Sequence, residues 1–161
     1  MSIRSLVFMF AAIVATSSTF AQSTTSTRTF NFPPLGLGAT ETAEIDVVNS
    51  AANGSDGTAA SCTGTISFLN ASGATIGSAT SFTVTSGQIF PARLPFSSAG
   101  ASSTRAAIRG VVTLTLSTAT PRPPCSLAVS LSTFDTSTGA THALVTGGTD
   151  GGAGYGPGPR D

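Results

Sequence analysis

The chain has no lysine and no tryptophan, one histidine, one tyrosine and two cysteines in 161 residues. Charged residues make up 9%, seven basic against seven acidic. So few cations, balanced by acids, leave no clustered basic surface of the kind that phosphate backbones or anionic lipids require, and nucleic acid is not an expected partner. Tyr155 sits in a glycine-rich tail, so the aromatic platforms that bind sugar rings are missing too. With both cysteines as ligands a zinc site needs two more, and His142, the one histidine, supplies only one of them. The cysteine spacing is also far from the C-x-x-C of redox pairs. No metal and no cofactor are expected.

What is present begins with an export signal. Arg4 supplies a positive start, Leu6 to Ala15 an unbroken apolar run, and Thr19-Phe20-Ala21 a small-x-small exit, which predicts cleavage between Ala21 and Gln22. The apolar run is about half the roughly 20 residues of a membrane-spanning helix. No other segment is apolar for long enough, so no membrane span is expected once the signal is removed. The expected location is secreted or periplasmic. Residues 22–28 read as a flexible Ser/Thr-rich lead-in, and residues 29–146 as one folded domain. Residues 147–161, with seven glycines and two prolines, read as a disordered tail.

Helix patterning is scarce in the domain, whereas period-2 alternation is frequent. Ala43, Ile45 and Val47 alternate with Glu44, Asp46 and Val48. Cys62, Gly64, Ile66 and Phe68 share a face, and Asn70-Ala71-Ser72-Gly73 reads as a hairpin turn before Thr75 to Val84. Pro91 and Pro95 interrupt Ile89 to Phe96 and predict an edge strand, because proline cannot donate to a ladder. Arg105 to Leu116 is the clearest strand, with Ile108, Val112, Leu114 and Leu116 facing one way. Cys125, Leu127, Val129 and Leu131 share a face, and Thr136 to Gly139 turns the chain into a last strand around His142 to Val145. Seven or eight short strands predict an all-β, antiparallel two-sheet sandwich, although a barrel of similar strand number fits the same pattern.

In an oxidising compartment, two cysteines in one small domain pair, and Cys62 and Cys125 each open a strand pattern at an inward position. One disulfide between them is expected, and closing so long a loop is worth roughly 4 kcal/mol.

Several short signatures follow in order. These are F-x-x-L-G-x-G-x-T from Phe32 to Thr40, the N-x-S-G turn at Asn70, the S-G-Q turn at Ser86, and R-x-x-x-R-x-V-V from Arg105 to Val112. Together with the two Cys-led strands, this order resembles small Ig-like β-sandwich modules of bacterial secreted proteins. The resemblance implies a fold and an exported location and carries no catalytic residue.

A Ser/His/Asp site is arithmetically available from His142 and Asp135, but no G-x-S-x-G elbow accompanies it. Glu41, Glu44 and Asp46 read as a solvated strand face rather than a calcium site. Arg105 and Arg109 share a face that either is solvated or meets an acidic partner. The expected function is that of a non-enzymatic protein-interaction or structural module of the cell envelope or extracellular space. Its expected partner is another envelope or extracellular protein, met through Ile89 to Phe96 or the tail. One alternative is a small-ligand-binding protein or hydrolase with a pocket at a sandwich end. Another is a pilus-type subunit or chaperone in which Phe30 to Leu37 is donated to a neighbouring copy.

Overall fold

The computed structural model describes residues 25–52, 61–101, 104–117, 125–147 and 149–150. The expected export signal, with its expected Ala21–Gln22 junction, and the final residues 151–161 lie outside the described residues. Ten strand segments follow in order: β1 (Thr25–Asn31), β2 (Leu35–Gly38), β3 (Glu41–Asn49), β4 (Ser61–Asn70), β5 (Thr75–Thr85), β6 (Ile89–Pro95), β7 (Arg105–Ser117), β8 (Leu127–Asp135), β9 (Thr141–Thr146) and β10 (Thr149–Asp150). One 3-10 turn, Phe96–Ser98, follows β6, and the described residues contain no α-helix.

All pairings are antiparallel and fall into two sheets. The first runs β10-β1-β7-β4-β5, with β2 also on β7, and the second runs β6-β3-β8-β9. β1 and β2 lie along the same strand, meeting Val111–Ser117 and Arg105–Ile108 of β7 in turn. They are one strand interrupted by Pro33 and Pro34, which have no N–H to give a ladder. Phe32 keeps the line through the break by donating its N–H to the Gly110 carbonyl at 3.0 Å. Counting β1 and β2 together and setting aside the two-residue β10 leaves eight of the ten segments. The sandwich, rather than the barrel, is the fold.

Pairing extends beyond the expected domain at both ends. β1 begins at Thr25 rather than Thr29, and Thr149–Asp150 pairs with Phe30 and Asn31. The lead-in carries no apolar period because its inward partner positions are taken by polar Ser26 and Arg28, whose guanidinium lies 4.9 Å from the Phe30 ring centre. A strand held by backbone pairing and a cation–π contact leaves little hydrophobic signature.

The core lies between the sheets. Phe32, Leu37, Ile66, Ile108, Val112 and Leu114 of the first sheet meet Ala43, Ile45, Val47 and Leu131 of the second, all nearly fully buried. Burial of these apolar side chains is the main stabilising term, at about 1.5–3 kcal/mol for each large one. Gly64 and Gly110 are the places where the packing admits no side chain. A Cβ on Gly64 meets the Thr113 carbonyl oxygen at 2.2 Å, and one on Gly110 meets the Ile45 Cδ1 at 2.7 Å.

Cys62 and Cys125 form a disulfide across 63 residues, with Cα atoms 5.3 Å apart. Cys62 is buried on β4, but Cys125 precedes β8 rather than opening it, a difference from the expected position. The bond therefore ties the start of β4 in one sheet to the entrance of β8 in the other.

Candidate functional site

Two features of the sandwich have chemistry to offer: one end, and one edge. The end is organised by the β2–β3 corner. Glu41 opens β3 three residues after Gly38, and its Oε2 accepts the Gly38 N–H at 2.7 Å. Its Oε1 meets His142 Nδ1 of β9. His142 reaches that far because Thr133 pairs with Ala143 and Phe134 with Thr141, which leaves His142 as the extra residue of a bulge. Bulges re-aim a side chain in this way. On the neighbouring sheet the Arg105 guanidinium lies where a Gly36 Cβ would be, with Nε 2.1 Å from that position. Any larger residue at position 36 displaces it.

The Gly38 N–H and then the His142 hydrogen bond hold the Glu41 carboxyl below its ordinary value of 4.5, with Arg105 adding a smaller attraction. A carboxylate ionised more readily in the folded chain than in the unfolded one stabilises fully above 4.5. That contribution is lost as pH falls through the depressed value. Urea titrations from about pH 7 to about pH 3 are therefore expected to show the wild type losing stability relative to Glu41→Gln on acidification. Parallel losses in the two proteins contradict this account of Glu41.

Asp135 closes the same end but serves its own turn. Its Oδ1 accepts from the Ser137 hydroxyl at 2.6 Å and the Thr138 N–H at 2.9 Å. These bonds, the Ser137 hydroxyl first, hold its carboxyl well below the usual carboxylate range. The structure thus joins His142 to Glu41, not to Asp135. A cavity of about 400 Å³ opens here, lined by Glu41, Pro95, Phe96, Ser97, Thr136 and Ser137 among others. Among the described residues no group of three or more His, Cys, Asp or Glu is placed to hold a metal ion.

On the outer face of the second sheet, Glu44 pairs with Arg93 of β6. Burial and then the Glu44 charge push Asp46 up from its ordinary value. Asn70 and Gly73 make the expected turn: Asn70 Oδ1 accepts the Ser72 and Ala74 N–H groups, and Gly73 takes φ 83°. That positive φ is a glycine conformation.

The edges of the second sheet are β6 and β9. On β6, the Asn49 N–H donates to the Gln88 carbonyl at 3.2 Å, which sets the phase of the β3–β6 ladder. Bonded positions alternate from there, so Phe90, Ala92 and Leu94 face β3 with their backbone groups, and Pro91 and Pro95 occupy outward positions. The expected edge strand is present, but two of its outward backbone positions have no N–H. On β9 the Gly147 N–H donates to the Val129 carbonyl at 2.9 Å. The same alternation turns the N–H and C=O groups of Leu144 and Thr146 away from β8, onto an edge that is open among the described residues. Leu144 is 62% exposed beside them.

Sequence reading placed the prolines on an edge but missed the open one, because which backbone groups face outward depends on a ladder's phase, and no side-chain pattern records it. It also missed the Glu41–His142 pair, which joins residues 101 apart in sequence. Comparison with known protein families, with characterised proteins and with solved structures finds no match to this chain. Among the described residues no helix is long and apolar enough to cross a membrane.

Proposed function

We propose that the chain is an exported, non-catalytic interaction module of the cell envelope or extracellular space, and that it engages a protein partner by strand addition at β9. The observation that carries this reading is the outward ladder of Leu144 and Thr146, to which no described strand pairs, beside an exposed leucine side chain. Such an edge is a template for an extended segment of another chain: main-chain bonds supply affinity, and side-chain contacts supply selectivity. The proline positions of β6 argue against that edge as the contact. The Cys62–Cys125 bond and the signal-like first 21 residues support the exported location, since disulfides persist in oxidising compartments. The order of short signatures from Phe32 to Val112 supports kinship with Ig-like modules.

The test compares edge variants. Leu144→Lys and Thr146→Pro are expected to abolish co-purification of the partner from envelope and medium with the fold intact. Ile89→Lys on the β6 edge is expected to leave it unchanged. Equal retention by all three removes β9 as the docking edge.

A second reading, small-ligand binding, is favoured by the cavity at the sandwich end, where Glu41 lines the wall. Strand donation by Phe30 to Leu37 has less to recommend it, because β1 and β2 already occupy the flank of β7 within the same chain.

A further inference from the structure

The outer face of the first sheet carries a hydroxyl grid that neither the β9 edge nor the sandwich end uses. Thr27, Thr115, Thr63 and Thr83 stand opposite one another in one row across β1, β7, β4 and β5. Two residues along each strand a second row follows: Thr29, Thr113, Thr65 and Ser81. Every position of both rows is Thr or Ser. The first row is exposed throughout, and the second is half-buried apart from exposed Ser81. Of the residues between the rows, Leu114 and Phe82 are buried in the core, Gly64 has no side chain, and exposed Arg28 lies beside Phe30 on the opposite face. The grid is local: further along β7 the same outer face carries Val111 and then exposed Arg109. On the second sheet, serine and threonine alternate with Glu44, Asp46, Arg93 and exposed Leu144 on the outer face.

We infer that this face binds the surface of ice, through the hydroxyl and methyl groups of Thr63, Thr65, Thr113 and Thr115. Strand geometry sets the spacing at about 4.8 Å across strands and about 6.8 Å along them. Both are close to the oxygen repeats on the prism faces of hexagonal ice. Within both rows there is no charged side chain, so no tightly held hydration shell interrupts the pattern. Each threonine presents a hydroxyl that joins a water lattice and a methyl around which water orders. β-Branched side chains are stiff at χ1, which keeps the groups on their grid at little entropic cost. Neighbouring strands are rotated by about 20–25°, so registry with a flat lattice is confined to the central strands β7 and β4. That limit selects the four central threonines as the contact and predicts slowed recrystallisation rather than a deep depression of freezing.

The test uses the purified, disulfide-bonded protein, fluorescently labelled at its N-terminus, on a slowly growing polycrystalline ice hemisphere, with recrystallisation followed in parallel. The wild type is expected to enter the ice and to keep grains small. Thr63→Lys and Thr115→Lys are expected to be excluded at the level of a non-binding protein, with an unchanged circular dichroism spectrum. Should the lysine variants not fold, Thr63→Ser and Thr115→Ser remove only the methyl groups and are expected to reduce incorporation. Leu144→Lys is expected to enter ice as the wild type does, which separates this inference from the β9 reading. Exclusion of the wild type, or full incorporation of folded Thr63→Lys, overturns the proposal.

Discussion

Replacing Cys62 and Cys125 together by alanine is expected to lower stability by roughly 4 kcal/mol. The bond closes a 63-residue separation, so its absence returns to the unfolded chain the freedom of a long loop. A domain of this size has about 5–15 kcal/mol to lose, and the variant therefore unfolds at a much lower urea concentration. The dependence of stability on urea should steepen as well, because the unbridged chain expands further when it unfolds. Urea titrations of the wild type, the reduced wild type and the double variant measure both effects. A loss below about 1 kcal/mol contradicts the assignment of the bridge as the main covalent restraint between the sheets.

Phe32→Ala should cost about 3–5 kcal/mol. The ring is 2% exposed and sits at the break between β1 and β2, where the chain has lost two ladder donors to Pro33 and Pro34. Its Cδ2 is 3.1 Å from where a Gly110 Cβ would be, so the ring covers the glycine that lets β7 pass close to the second sheet. Removing it opens a cavity and frees the N-terminal strand at once. The same geometry predicts coupling: Gly110→Ala crowds the ring and Ile45, so Phe32→Ala and Gly110→Ala together should cost less than the sum of their separate effects. Strict additivity in the double-variant cycle contradicts this packing.

Much of the fold was legible from local pattern. The alternation from Ala43 to Val48 and from Arg105 to Leu116 marks β3 and β7, whose inward residues are buried as the pattern requires, except that Leu116 near the end of β7 is half-buried. The turns at Asn70 to Gly73 and Thr136 to Gly139 were visible from their small polar residues and glycine, and the structure adds Asp135 as the side chain that accepts the N–H groups of the second. Less legible were features set by pairing. Thr25 to Arg28 lacks an apolar period, yet it is a strand because β7 offers it a ladder. Cys125 precedes its strand because the bridge needs only a sulfur near the core, not a ladder position. The threonine grid shows in the sequence as repeated Thr-x-Thr, but only the register of four strands aligns it into rows. The β9 edge and the Glu41–His142 contact depend on a ladder's phase and on a bulge, neither of which side-chain periodicity encodes.

The most direct measurement is photo-cross-linking in living cells, with a photoreactive residue placed at Leu144 in one variant, at Ile89 in a second and at Thr83 in a third. The account predicts one discrete protein adduct from position 144, lost when Thr146→Pro is added, and none from position 89. No adduct at 144, or the same adduct from all three positions, contradicts the assignment of β9 as the docking edge.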